Sequence, residues 1–183
     1  MRNLRRALLL VALLALISSL GWAENSRKLT PAETVSRFCG FDFDGVRLDS
    51  TNPHQPEFAK LVAQEGDWPE EPVRVVAGFH LGSVRRARNT TVIEVEYEIR
   101  GSLKGALESD QLLVEKSSEK VEFPLMRVHG VWKVKPFELP PHVSADAMRK
   151  HISGILESDQ RAGDSRRREI LQRLLVKLQA LGS

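Results

Sequence analysis

Thr91–Ile99 reads TVIEVEYEI, and its alternation decides the fold. Ile93, Val95, Tyr97 and Ile99 take every second position, with Glu94, Glu96 and Glu98 between them. A strand turns successive side chains to opposite faces, so this stretch predicts a strand with one face buried and the other in water. A second stretch, Val121–Val134 (VEFPLMRVHGVWKV), reads as two short strands joined at His129-Gly130, where glycine supplies the positive φ of a tight hairpin. Together the two predict a curved antiparallel sheet with a single apolar face.

Upstream, Thr30-Pro31-Ala32-Glu33 carries a helix start: Thr30 caps, Pro31 fits the first turn and Glu33 completes a capping box. Val35, Phe38 and Cys39 then share a face, and Gly40 is the expected stop after about ten residues. A second short helix, Pro56–Glu65, is expected to bury Phe58, Leu61 and Val62, with Gly66 ending it. Asp67–Pro72 reads as a stiff, extended connection. Val73–Phe79 is apolar enough for a core strand running on towards Val84, and Arg85–Asn89 reads as a polar turn. Gly101–Asp110 reads as a loop, Gln111–Glu115 as a strand and Ser117–Lys120 as a turn. Pro124 has no N–H for a ladder, so its strand is expected at a sheet edge or bulged there.

The character changes after Pro140-Pro141. Ser144 is expected to cap a helix with Met148, Ile152, Ile155 and Leu156 at helical spacing, and Ala162–Ser165 breaks it. Ser165 can cap a last helix, where Leu171, Leu174, Leu178 and Leu181 form an apolar seam beside Arg166, Arg167, Arg168, Arg173 and Lys177. The seam predicts a helical hairpin folded on the domain or on itself. The alternative is a homodimer or partner contact through 166–181, although so short a seam does not establish a coiled coil. An anionic membrane surface is the weaker alternative, because the apolar face has no aromatic anchor.

Residues 1–23 read as a signal peptide. Arg2, Arg5 and Arg6 precede the apolar run Ala7–Ile17, and small residues allow a cut after Ala23. The run is shorter than the ~20 residues that span a bilayer. The expected location is therefore exported, periplasmic or secreted, with no membrane attachment after cleavage. Removing the three arginines from 27 basic residues leaves 24 against 24 acidic ones, so the remaining chain is neutral and no nucleic-acid partner is expected. Cys39 is the only cysteine, which excludes an intramolecular disulfide and suits a small buried hydrophobe. The expected division is a signal peptide at 1–23, one α+β domain at 24–142 and a C-terminal helical hairpin at 143–183.

FDFDGVRLDS (Phe41–Ser50) is the sharpest local string. It resembles the first motif of haloacid-dehalogenase-like phosphatases. That resemblance implies Asp42 as nucleophile, Asp44 as acid/base and magnesium between them, with Gly163-Asp164-Ser165 as a faint late motif. That chemistry needs a parallel strand before Asp42, whereas ETVSRFCG reads as a capped helix. The competing reading is an acidic turn with Gly45 at a special dihedral. Asp42, Asp44 and Asp49 depart from calcium-loop spacing, and the histidines at 54, 80, 129, 142 and 151 show no paired ligand spacing and read as solvated. No cofactor and no metal are expected. Asn89-Thr90-Thr91 is a glycosylation sequon only in a eukaryotic source.

The order of elements, together with Phe123, Leu125, Gly130, Trp132 and Val134 and the opening TPAETVSRF, resembles the nuclear-transport-factor-2-like (cystatin-like cone) superfamily over roughly Thr30 to Pro136. The resemblance implies an exported bacterial member with a curved antiparallel sheet packed on N-terminal helices, and a pocket between the concave face and those helices. Ketosteroid isomerase and scytalone dehydratase share that fold. Tyr97 points inward by alternation, and Phe79, Arg127 and Trp132 are the other candidates for lining the cavity, with His80 beside them. The acidic neighbours of Tyr97 face away from it, so a non-catalytic module binding a small apolar ligand or a protein is expected before an isomerase or dehydratase.

Overall fold

The computed structural model describes residues 28–63, 72–87, 90–104, 111–135, 138–159 and 164–181. The expected signal peptide at 1–23, most of the expected 67–72 connection, Arg88-Asn89 and residues 105–110 and 160–163 lie outside the described residues.

Helix α1 (Pro31–Phe43) starts as its sequence predicts. Thr30 Oγ1 accepts from the Glu33 N–H at 3.2 Å, and the Glu33 carboxylate accepts from the Thr30 N–H at 2.7 Å. Gly40 does not stop it. Val35, Phe38, Cys39 and Asp42 continue the i, i+3, i+4, i+7 face into the core, which outweighs the roughly 1 kcal/mol cost of a mid-helix glycine. The helix closes at Asp44, and Gly45 takes φ 77° to turn into the short 3-10 segment Val46–Leu48.

Helix α2 (Gln55–Ala59) is a single turn, shorter than the 56–65 expected. Leu61 and Val62 are buried as expected, but beyond the helix, Leu61 in a turn and Val62 in an isolated parallel bridge to Val134. The Leu61 carbonyl accepts from the Val134 N–H at 2.8 Å, and the Ala63 N–H donates to the Val134 carbonyl at 2.9 Å. A strand end that satisfies these backbone groups competes successfully with a second helical turn.

The sheet comprises β1 (Val73–Ala87), β2 (Thr90–Leu103), β3 (Leu112–Val128), β4 (Val131–Val134) and β5 (His142–Ser144). Its order is β4-β3-β2-β1-β5, curled into a half-barrel. All pairings are antiparallel except β1 with β5. Ile93 pairs with Phe123 and Val95 with Val121, and Ile93, Val95, Tyr97 and Ile99 are all buried. The β3–β4 turn is the expected hairpin, with His129 at φ 49° and Gly130 at φ 78°.

Two expected turns are strand instead. Arg85 and Arg86 continue β1, and Ser117–Lys120 pair with Ile99–Glu96. Those polar side chains tolerate a strand because β2 saturates the backbone while their outer ends stay in water. Pro124 lies in an interior strand, not at an edge. Its carbonyl accepts from the Lys135 N–H at 2.8 Å, so its missing donor faces the end of short β4 and the β2–β3 ladder loses nothing.

Two helices close the molecule. Ser144 caps α3 (Ala145–Asp159) by accepting from the Ala147 N–H at 3.0 Å. Asp164, not Ser165, caps α4 (Ser165–Leu181), accepting from the Arg167 N–H at 3.1 Å. One core joins α1 and α2 to Ile93, Val95, Tyr97 and Phe123. A second joins Val73, Val75, Leu103 and Leu112 to Met148, Ile152, Leu171, Leu174 and Leu178.

Candidate functional site

The sequence candidates divide between two places. Tyr97 and Phe79 sit in the core, as cross-strand partners with ring centroids 6.2 Å apart. Phe79 is half-buried and also meets Phe43 at 6.4 Å. Tyr97 is fully buried, its hydroxyl donates to Cys39 Sγ at 3.2 Å, and its ring stacks on His142 at 4.0 Å. Arg127 and Trp132 lie elsewhere, on β3 and β4, with the guanidinium 4.7 Å from the indole centroid.

Around Tyr97 lies a group that sequence reasoning did not assemble. Asp42, on the inner face of α1, accepts from the His142 backbone N–H at 2.9 Å and from Arg47 Nη1 at 3.3 Å. Arg47 Nη2 donates to the Leu139 carbonyl at 2.6 Å. The Asp42–Arg47 pair thus clamps the chain as it enters β5, locking the two ends of the fold together. His142 Nδ1 lies 2.8 Å from the Pro140 carbonyl, which can only accept, so Nδ1 carries a proton. Its Nε2 faces Glu119 Oε2 at 3.7 Å, beyond hydrogen-bond reach. Glu119 in turn lies 3.3 Å from Arg74 Nε.

Burial dominates the electrostatics. Asp42, Cys39, Tyr97 and His142 have no solvent-exposed surface. Loss of hydration pushes the Cys39 thiol up to about 12 and raises Tyr97 well above the usual phenol range. It also raises Asp42, against the pull of Arg47 and the His142 N–H. Glu119 is held below the ordinary carboxylate range by the imidazole it faces and by Arg74. These shifts favour neutral thiol and phenol, which suits packing better than nucleophilic attack.

Asp42 and Asp44 do not converge: Asp42 points into the core and Asp44 is exposed at the helix end. Asp44 opens onto a cleft of about 710 Å³ shared with Asp49, Lys150, His151 and Glu157. Hydrogen bonds from the Thr51 hydroxyl and N–H hold Asp49 low, and burial lowers His151. Among the described residues no cluster of three His, Cys, Asp or Glu could hold a metal ion. His142 corrects the expectation of solvated histidines, since it is fully buried; His54, His80 and His129 are exposed. Its position directly after Pro140-Pro141 gave no signal of this. The burial arises because Asp42 draws the His142 backbone inward.

Arg127 and Trp132 border a second cleft of about 1010 Å³, where the chain entering α1 meets the β3–β4 hairpin and the far end of β1. Lys28, Leu29, Arg86 and Met126 share its wall. It is open to solvent, and neither Tyr97 nor Asp42 reaches it. Comparison with protein-family models, with curated proteins and with solved structures finds no match to this chain.

Proposed function

We propose that the protein is an exported, non-catalytic binding module of the nuclear-transport-factor-2-like cone type, with its ligand site at the Arg127–Trp132 cleft. The observation that carries the reading is the sealing of the concave side. Its ionisable groups, Asp42, Tyr97, Cys39 and His142, are fully buried and engage one another or nearby backbone. No reacting atom can meet them without opening the core, whereas the Arg127–Trp132 cleft is open. Pockets that bind small molecules pair an apolar wall with a few polar groups, as this one does. The apolar leader at 1–23 supports the exported location.

A thermal-shift screen of small molecules tests this. Stabilising ligands are expected to lose their effect in Trp132→Ala, and to be recovered unchanged after incubation.

A second reading, an isomerase or dehydratase, is favoured by one observation: Asp42 and Tyr97 are both fully buried and each contacts His142, Asp42 through its backbone N–H and Tyr97 through its ring. It requires an opening into the core. Turnover of a screening ligand that is lost in a folded Asp42→Asn variant would establish it and overturn the binding module.

A further inference from the structure

Cations border the Arg127–Trp132 cleft without a carboxylate among them. Several cations elsewhere on the surface meet carboxylates: Arg74 with Glu119, Arg85 with Glu122, Lys120 with Glu94 and Arg149 with Asp146. The three described cations around this cleft do not. No described acidic residue lines it, and Lys28, Arg86 and Arg127 form no ion pair with any described residue. Three like charges beside one concavity repel, and low-dielectric walls focus their field outward. The wall also offers apolar area. Trp132 and Leu29 border it and are both half-buried.

We propose that this cleft binds a small organic anion. The acidic head is held by Lys28, Arg86 and Arg127, and the flat or extended apolar body lies on Leu29 and Trp132. The inference deepens the binding-module reading and rests on it. Arginine is suited to the head because its planar fork donates two parallel bonds to a carboxylate or phosphate. Arg127 is already oriented by its stack on Trp132, which reduces the ordering lost on binding. Offsetting part of this positive charge supplies a gain that a neutral ligand of the same shape cannot match.

Calorimetric titration with 2-naphthoate and its neutral isostere 2-naphthamide tests the assignment. The carboxylate is expected to bind about tenfold or more tighter than the amide, an advantage that shrinks with added salt. The double variant Arg86→Ser/Arg127→Ser should erase that advantage with the cooperative thermal transition retained, since both side chains are exposed. Equal binding of the two compounds, lost in Trp132→Ala, would overturn the anion and leave the binding module standing. Binding that survives both Trp132→Ala and the double variant would overturn both. Sedimentation with phosphatidylglycerol vesicles, abolished by the double variant and unaccompanied by naphthoate binding, would replace the small anion with a lipid surface.

Discussion

Asp42 shows how one residue can look like chemistry and act as architecture. Its string, FDFDG, invites a nucleophile, but α1 carries it into the core, where it holds Arg47 and the His142 N–H. Arg47 is itself only 4% exposed, so the pair is dry on both sides. Removing one partner from such a pair leaves an uncompensated buried charge, so Arg47→Ala is expected to lower unfolding free energy by about 3–5 kcal/mol. Urea unfolding at neutral pH measures it, and a loss under about 1 kcal/mol would mean that water reaches Asp42. The pH dependence has a definite sign. Burial raises Asp42 in the folded state, so the native protein binds this proton more tightly than the unfolded chain. Its contribution is fully present below the ordinary value of 3.8 and is lost as pH rises through the folded value. Glu119, held low, has the opposite sign. The quantity to follow is therefore the stability difference between wild type and Asp42→Asn, from about pH 4 to about pH 8. Wild type should lose ground to the variant as pH rises, and a constant difference would remove Asp42 from the titration.

At the scale of elements, periodicity was readable and polar punctuation was misleading. The β2 alternation, the Thr30 capping box, the Ser144 cap and the His129-Gly130 hairpin all follow from local stereochemistry and stand in the structure. Ser117–Lys120 and Gly40 were expected to interrupt their elements because their own propensities say so. They do not, because β2 and the core supply partners that outweigh propensity. Gly45 is the reverse case, a special dihedral that FDFDG does signal. At φ 77°, an added Cβ would also lie 3.1 Å from the Ala147 Cβ of α3. Gly45→Ala is therefore expected to cost about 1–2 kcal/mol, measured by thermal or urea unfolding. A neutral result would show that the α1–α3 contact yields easily.

Across the whole molecule, the C-terminal helices are bound into the fold more closely than an appendage would be. Leu171, Leu174 and Leu178 have no exposed surface and share a core with Val73, Val75, Leu103 and Leu112. Each such side chain is worth about 1.5–3 kcal/mol of burial. Truncation after Leu139 also deletes β5, which removes the His142 N–H from Asp42. The sequence alone suggests a folded remnant; the shared core leads to the opposite expectation. The truncated chain should lose its cooperative thermal transition in circular dichroism and elute as aggregate, and a cooperative monomer would restore the appendage view. The same burial engages Leu171, Leu174 and Leu178 within the chain and leaves Val176, 66% exposed, as an outward apolar residue of α4.

Sequence by itself determined the α+β class, the curved sheet, the caps at Thr30 and Ser144 and the inward direction of Tyr97. Each of these depends on near neighbours along the chain, through side-chain alternation, helical period or a single backbone angle. Tertiary structure alone decided that Asp42, Arg47 and His142 meet, that Tyr97 and Arg127 belong to different places, and that three cations around one cleft have no carboxylate partner among the described residues. Those facts depend on contacts between residues up to a hundred positions apart, such as Asp42 with His142. No local period encodes such contacts. They follow from which faces the folded chain brings together and how much water it leaves between them.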